Sequence, residues 1–490
     1  MNVIFCRVFQ FVFNYGAKLM PWRKPVLIDG ADSIKKIPQL LQAQSVKKPM
    51  VVTDPGLVKA GISAMITKIL KQEGYEYALF AGVEPNPSIK TVNAVYNFYI
   101  SEKCDGIIAV GGGSPMDAAK AAAAMAAKPG KTIEQLGGLL KVRKKIPPLI
   151  AVPTTAGTGS ETTIAALITN TEKGHKYAIM DFSLIPLYAV LDPKLTEGLP
   201  PFVTATTGMD ALTHAIEAYL CWTYNTKESI QYALDAVKDI FANLEKAYIK
   251  GSDKKARQAM LTASYKAGAA FTRSGVGNVH AIAHTLGGIY NTPHGLANAV
   301  ILPKVLEDYG EAVHAKLAIL AETAGLVAPE SKKSQAEKAR LFIKAIYDMN
   351  KRMKMPETFD FIEDKDIPKM AEWADNESNP LYPVPVVYSK ERFKKVIETI
   401  RSKPETKTLP KTKTEAKAEA KPKTKAKIKT KTKAKTKTKT VIKSKTKAKA
   451  KIKTKTKTKA KAKTKAETKP KTKTKVKSKA KTKTGPKTKR

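Results

Sequence analysis

Residues 105–127 read DGIIAVGGGSPMDAAKAAAAMAA. An apolar run, residues 106–110, stops at three glycines, Gly111, Gly112 and Gly113, and an alanine-rich run follows. That order predicts strand, tight turn, helix. Glycine lets the backbone come close to a diphosphate, and a helix N-terminus offers free N–H groups and a partial positive charge. Pro115 suits the first helical turn, and Asp117 lies near its start. The spacing is not the strict G-x-G-x-x-G fingerprint, so the motif alone also fits a βα turn that binds nothing.

Outward from this turn the pattern repeats. PMVVTD at 49–54, EYALFAGV at 76–83 and PLIAVPTT at 148–155 are short apolar runs ending at Gly, Asp or Pro between helical patterns. Such runs indicate βα units around a buried parallel sheet. A second loop, PTTAGTGSETT at 153–163, offers three kinds of uncharged donor (glycine amides, threonine and serine hydroxyls) suited to phosphate or ribose, or else forms a plain surface turn. Asp54 ends VVTD, where a carboxylate accepts hydrogen bonds from a ribose hydroxyl and repels a 2′-phosphate, which favours NAD over NADP; the plainer reading is a helix cap. From about Thr196, segments such as DALTHAIEAYL and SIQYALDAVKDIFANLEKAY repeat apolar residues at three and four, the period of helices. LDPKLTEGLPP, with three prolines and one glycine, fits a hinge between the two textures.

The sequence has 490 residues and a formal net charge of +44. Residues 401–490 hold 39 basic and 4 acidic residues, a net of +35, which leaves +9 for residues 1–400. The basic character therefore belongs to the tail. Its alternating Lys with Thr or Ala buries too little apolar surface to offset ordering entropy, so disorder is expected, with non-specific polyanion contact as one role and an inert repeat expansion as the other. Cys6, Cys104 and Cys221 are far apart, without metal or disulfide spacing, so a reducing, cytoplasmic setting is expected. Arg7, Gln10 and Asn14 interrupt the apolar first 20 residues, which argues against a membrane anchor or signal peptide and favours a short amphipathic helix packed on the body. The expected divisions are 1–20 (the amphipathic segment), 21–195 (a Rossmann-like α/β NAD(P)-binding domain), 196–400 (a helical metal-binding domain) and 401–490 (the tail).

Four of the six histidines fall between residues 214 and 294. Asp210 and His214 are four apart, as are His280 and His284, so each pair shares a helical face. His294 follows in TPHGLANA. A carboxylate with three imidazoles suits a borderline divalent cation such as Fe²⁺ or Zn²⁺. His175 and His314 lack such partners and read as structural or exposed.

GGGSPMDAAK, PTTAGTGSE, TGMDALTHAIEAY and GNVHAIAHTLGG with PHGLANA, in this order along the chain, resemble the iron-containing (group III) alcohol dehydrogenases, a family that includes lactaldehyde reductase, butanol dehydrogenase and 1,3-propanediol dehydrogenase. The resemblance covers about residues 20–400 and omits the tail. It implies an α/β dinucleotide-binding domain, a helical domain and a site between them. By motif it makes Asp210, His214, His280 and His294 the metal ligands, and it makes His284 the histidine near the nicotinamide that relays the proton. It places cofactor contacts on Asp54, Asn86, Gly112, Gly113, Ser114, Thr154, Thr155, Thr158 and Lys176. Homo-oligomers are the family expectation. Asn278 departs from the pattern, since relatives often carry an aromatic residue there, which bears on the pocket's size and polarity.

The activity so implied is hydride transfer between a short primary alcohol or diol, or its aldehyde, and NAD, with NADP as the alternative. A zinc-type glycerol dehydrogenase or a dehydroquinate synthase-like enzyme is the rival on the same fold. Polyanion or nucleic-acid binding through the tail is the rival from another class, without aromatics for base stacking.

Overall fold

The computed structural model describes residues 2–170 and 175–402, without the side chains of 175–177. The tail from residue 403, with its expected disorder and polyanion contact, lies outside the described residues. The first helix is α1 (Val3–Lys18), followed by β1 (Val26–Asp29), α2 (Ile37–Ala43), β2 (Pro49–Val52), α3 (Pro55–Lys59), α4 (Ile62–Gln72), β3 (Ala78–Phe80), α5 (Ile89–Ser101), β4 (Gly106–Gly111) and α6 (Gly113–Ala127). Next come α7 (Ile133–Leu136), β5 (Gly138–Leu139), β6 (Leu149–Pro153), β7 (Ala165–Asn170), β8 (His175–Met180) and β9 (Tyr188–Leu191). The rest is helical: α8 (Pro201–Leu220), α9 (Lys227–Ile249), α10 (Lys254–Ser274), α11 (Asn278–Tyr290), α12 (His294–Tyr309), α13 (Glu311–Thr323), α14 (Gln335–Arg352), α15 (Ile367–Ser378) and α16 (Lys390–Thr399).

The four strand-like runs form β2, β3, β4 and β6 of a six-stranded parallel sheet ordered β1-β9-β6-β4-β2-β3. Alternate residues of β4 serve opposite faces. Ile107 and Ala109 pack with α5 and α6, whereas Ile108 and Val110 pack with α2 and α4. Both faces are therefore covered, which is why β4 and β6 read as unbroken apolar runs. From β2 the chain runs to β3 on one side and then returns to β4 on the other. The reversal opens a crevice at the C-terminal ends of β2 and β4, the place where such sheets bind ligands.

A second sheet, β5-β8-β7, pairs β7 and β8 antiparallel from Ala165↔Met180 to Asn170↔His175. β7 alternates buried with more exposed residues and carries no long apolar run to announce it. The segment between β9 and α8, where the sequence suggests a hinge, is tied down. Asp192 accepts from the Lys194 amide at 3.1 Å, and Arg257 donates to Thr204 Oγ1 at 2.8 Å and to the Leu199 carbonyl at 3.4 Å. Among the described residues no strand follows β9, and α8–α16 enclose their own apolar core. No described helix is long and apolar enough to cross a membrane, and all three cysteines are free and buried.

Candidate active site

Helix α8 carries Asp210, His214 and Glu217 on one face, α11 carries His280 and His284, and α12 starts at His294. The helices must approach closely for these to meet. A Cβ on Gly295 would lie 2.1 Å from the Thr206 carbonyl oxygen, so only glycine lets the start of α12 press against α8 there. Donor atoms of Asp210, His214, His280 and His294 then all lie within 4.8 Å of one another. Asp210 Oδ1 is 3.3 Å from His294 Nε2 and 3.8 Å from His280 Nε2. The His214 ring stacks between Phe271 and His280, at centroid distances of 4.1 and 4.5 Å.

Burial opposes the charge on Asp210, but the imidazoles of His214, His294 and His280 outweigh it and hold the carboxyl well below the usual carboxylate range. Burial pushes His214 down to about 4, so its ring is neutral and offers a lone pair. For His280 burial acts the same way, yet Glu217 and Asp210 overcome it and raise the ring to about 9. Asp210 is thus a buried carboxylate that, among the described residues, forms ion pairs with histidines alone. Such a charge is costly unless compensated, and a divalent cation held by one carboxylate oxygen and three imidazoles compensates it. The donor set fits iron or zinc.

Three polar residues of this site lie outside the sequence reading. Glu217 accepts from His280 Nδ1 at 2.5 Å and from the Gly277 and Val279 amides at 2.9 and 2.8 Å. This fixes the ring so that Nε2 faces Asp210, and Glu217 stands where an outer carboxylate would orient a ligating histidine. Its place three residues after His214 was a readable signal. Asn298, four residues after His294, donates to Asp210 Oδ1 at 2.7 Å and lies 3.2 Å from both His280 Nε2 and His294 Nε2. Glu377, from distant α15, is 2.5 Å from His284 Nδ1 and accepts from the Tyr382 hydroxyl at 2.7 Å; nothing in its surroundings, ADNES, points there. His284 therefore stands beside His294, ring centroids 5.2 Å apart, and outside the four-donor cluster.

The cofactor motifs meet at the C-terminal edge of the sheet. Gly111 has φ +154°, and a Cβ there would lie 2.5 Å from Pro115 Cγ. Cβ atoms on Gly112 and Gly113 would each come 3.2 Å from Thr155 and Thr158, so the glycine turn and the threonine loop lie in van der Waals contact. Ser114 Oγ accepts from the Asn86 amide at 3.2 Å, and Asn86 Nδ2 donates to Asn291 at 3.4 Å, just before His294. Thr154 is buried, its amide bonded to the Gly111 carbonyl at 3.0 Å. The threonine loop reaches α8 at Gly157, where a Cβ would lie 2.6 Å from Thr207 Cβ. One loop therefore joins the cofactor edge to the helix that carries Asp210. Lys120 locks it: the buried Nζ donates to Ser160 and Thr163, carbonyl and hydroxyl of each, and to the Ala165 carbonyl, at 2.6–3.1 Å. Burial lowers Lys120 to about 8, but the five oxygens around Nζ more than satisfy the three N–H donors of an ammonium.

Other expected residues are placed differently. Asp54 stands at the crevice after β2, but its Oδ1 caps α3 by accepting from the Leu57 amide at 3.0 Å. Lys176 lies on β8 with its side chain outside the described residues. Asn278 is fully buried, donating to the Val386 carbonyl at 3.1 Å and accepting from Ser378 Oγ at 2.8 Å, so it ties α11 down and lines no open pocket.

Two family descriptions match: iron-containing alcohol dehydrogenase over residues 25–193, and Fe-containing alcohol dehydrogenase family, C-terminal, over residues 204–401. This chain belongs to the iron-containing alcohol dehydrogenase family. It is 37% identical to alcohol dehydrogenase 4 of Saccharomyces cerevisiae (strain YJM789), covering 76% of this chain and 96% of that protein. It is 39% identical to 1,3-propanediol dehydrogenase of Klebsiella pneumoniae, covering 71% and 90%. A crystal structure of 1,3-propanediol oxidoreductase superposes with TM-score 0.74 at 35% identity, over 78% of this chain and all of that one. Sulfoacetaldehyde reductase from Bifidobacterium kashiwanohense, solved with NAD⁺, gives 0.70 at 28% identity, over 79% and 100%. As a member of the family, the chain is an iron-dependent, NAD-linked oxidoreductase of alcohols and aldehydes. Helix α1 and the tail lie outside the matched residues.

Proposed function

We propose that this iron-containing alcohol dehydrogenase interconverts a short primary alcohol or diol and its aldehyde, with Asp210, His214, His280 and His294 holding the metal. The observation that carries the reading is the meeting of those four donors one helix away from the loop that touches the glycine turn. When bound, iron supplies Lewis acidity toward an alcohol oxygen or a carbonyl, and the nicotinamide supplies the hydride carrier. Asp210 contributes the negative charge of the shell, while Glu217 keeps the His280 proton on Nδ1. The Gly112–Gly113 turn, Ser114 and the start of α6 receive the pyrophosphate, with Asn86, Thr154, Thr155, Thr158 and Lys176 around it. Asp54 accepts from the ribose and selects NAD. His284, held by Glu377 and Tyr382, moves the hydroxyl proton toward solvent. A homo-oligomer in the cytoplasm completes this reading, with residues 401–490 adding salt-sensitive contact to polyanions.

The test is metal quantification after anaerobic purification, together with NAD- and NADP-linked assays over short alcohols, diols and aldehydes. Iron near one per chain and NAD-linked oxidation of short alcohols are expected. Zinc with a glycerol preference would favour the polyol dehydrogenase reading.

A further inference from the structure

Helix α1 packs on the body with its polar side inward. Arg7 donates to the Val384 and Pro385 carbonyls at 2.8 Å each, Gln10 donates to the Pro380 and Tyr382 carbonyls at 2.9 and 2.7 Å, and Asn14 donates to the Thr223 carbonyl at 2.8 Å. Gln10 also accepts from Trp222 Nε1 at 2.5 Å. The residues that interrupt the apolar run are thus its anchors. The apolar stripe of Val3, Ile4, Phe5, Val8, Phe11, Val12, Tyr15 and Leu19 faces outward, each residue between 51% and 78% exposed, and Trp222 beside it is 41% exposed. Elsewhere among the described residues, exposed large apolar side chains are not gathered on one helix in this way.

We propose that this face of α1 is a docking surface for an anionic lipid bilayer, on which the helix lies in the headgroup plane. A 16-residue helix is about 24 Å long and carries too few apolar residues to span, but enough to bury one face at an interface. Charge complementarity identifies the lipid. Residues 1–28 hold no acidic residue, and Lys18 is exposed in the last turn of the helix, whereas Arg7 and Arg23 are turned to body carbonyls and Lys24 pairs with Glu228. The chain beyond the described residues adds a large excess of lysine, most of the +35 of residues 401–490. An apolar face and a polybasic segment are the two signals that together give stable attachment to anionic leaflets. A second copy packed on the first through the same face would bring the same acid-free segment and no countercharge. Both features lie outside the residues shared with the family, so attachment adds to the dehydrogenase without altering its site.

The full chain is mixed with vesicles of phosphatidylcholine containing about 30% phosphatidylserine at roughly 0.1 M salt, and the sedimented fraction is measured. The wild type is expected to sediment. The variant Val8→Ser, Phe11→Ser, Val12→Ser is expected to lose roughly tenfold or more in partitioning while keeping its alcohol oxidation rate, which shows that it is folded. Absence of wild-type binding, equal binding by the variant, or equal binding to pure phosphatidylcholine overturns the proposal. So does a lipid-free dimer, seen by sedimentation velocity, that the variant abolishes.

Discussion

The candidate metal cluster and the candidate cofactor edge are built from different materials. At the cluster, Asp210 and His214 from α8 and His280 from α11 are buried, His294 from α12 is half-buried, and the four face one another within a few ångströms. At the edge, glycine backbone and threonine hydroxyls from two neighbouring loops lie in van der Waals contact. A buried charge that loses its partner costs several kcal/mol, whereas a tightened backbone contact costs about one. The cluster should therefore fail abruptly under substitution and the edge by degrees.

The largest effect is expected from Asp210→Ala or His280→Ala. Each should lose bound metal and drop turnover by about a thousandfold, the worth of ~4 kcal/mol of Lewis-acid stabilisation. Unaltered metal content in both, by elemental analysis, would sink the ligand assignment and erase the contrast. Next is Glu217→Gln, which keeps the shape but weakens the acceptor for His280 Nδ1. Metal affinity measured by chelator competition should fall about 10–100-fold, and no change would mean that the outer carboxylate does not matter. On the other side of the comparison, Gly112→Ala places a methyl 3.2 Å from Thr155 Oγ1. KM for NAD should rise about tenfold, from ~1.4 kcal/mol of overpacking, with metal content unchanged. If metal were lost as well, the two regions would not be separable. The smallest effect is assigned to Asp54→Gly, because one carboxylate oxygen already serves as a helix cap. The NAD to NADP ratio of kcat/KM should shift toward NADP by a few fold, about the ~1 kcal/mol of one hydrogen bond; a constant ratio in steady-state kinetics removes Asp54 from cofactor selection.

Legibility followed sequence distance. The glycine turn, the threonine loop and the Asp210–His214 and His280–His284 pairs could be read because each lies within one turn or one loop, where local periodicity sets geometry. Glu217 and Asn298 were readable by the same rule, three residues after His214 and four after His294. Glu377 was not, because its partner His284 is 93 residues away in sequence. Helix α1 was legible as a helix with interrupting polar residues, but not in its orientation: Arg7, Gln10 and Asn14 find carbonyls at residues 223 and 380–385 that no local pattern announces.

By itself the sequence determined the alternation of buried strands and helices, the four donors suited to a divalent metal, and the separation of an ordinary catalytic body from a basic tail. These follow from residue type and short-range period. Tertiary structure alone decided which carboxylate steadies which imidazole, that Asp54 caps a helix, that Lys120 clamps the loop between cofactor edge and metal helix, and that α1 turns its apolar side outward. Those depend on which distant backbone carbonyls and side chains packing brings within hydrogen-bond reach, and a linear pattern carries no record of that distance.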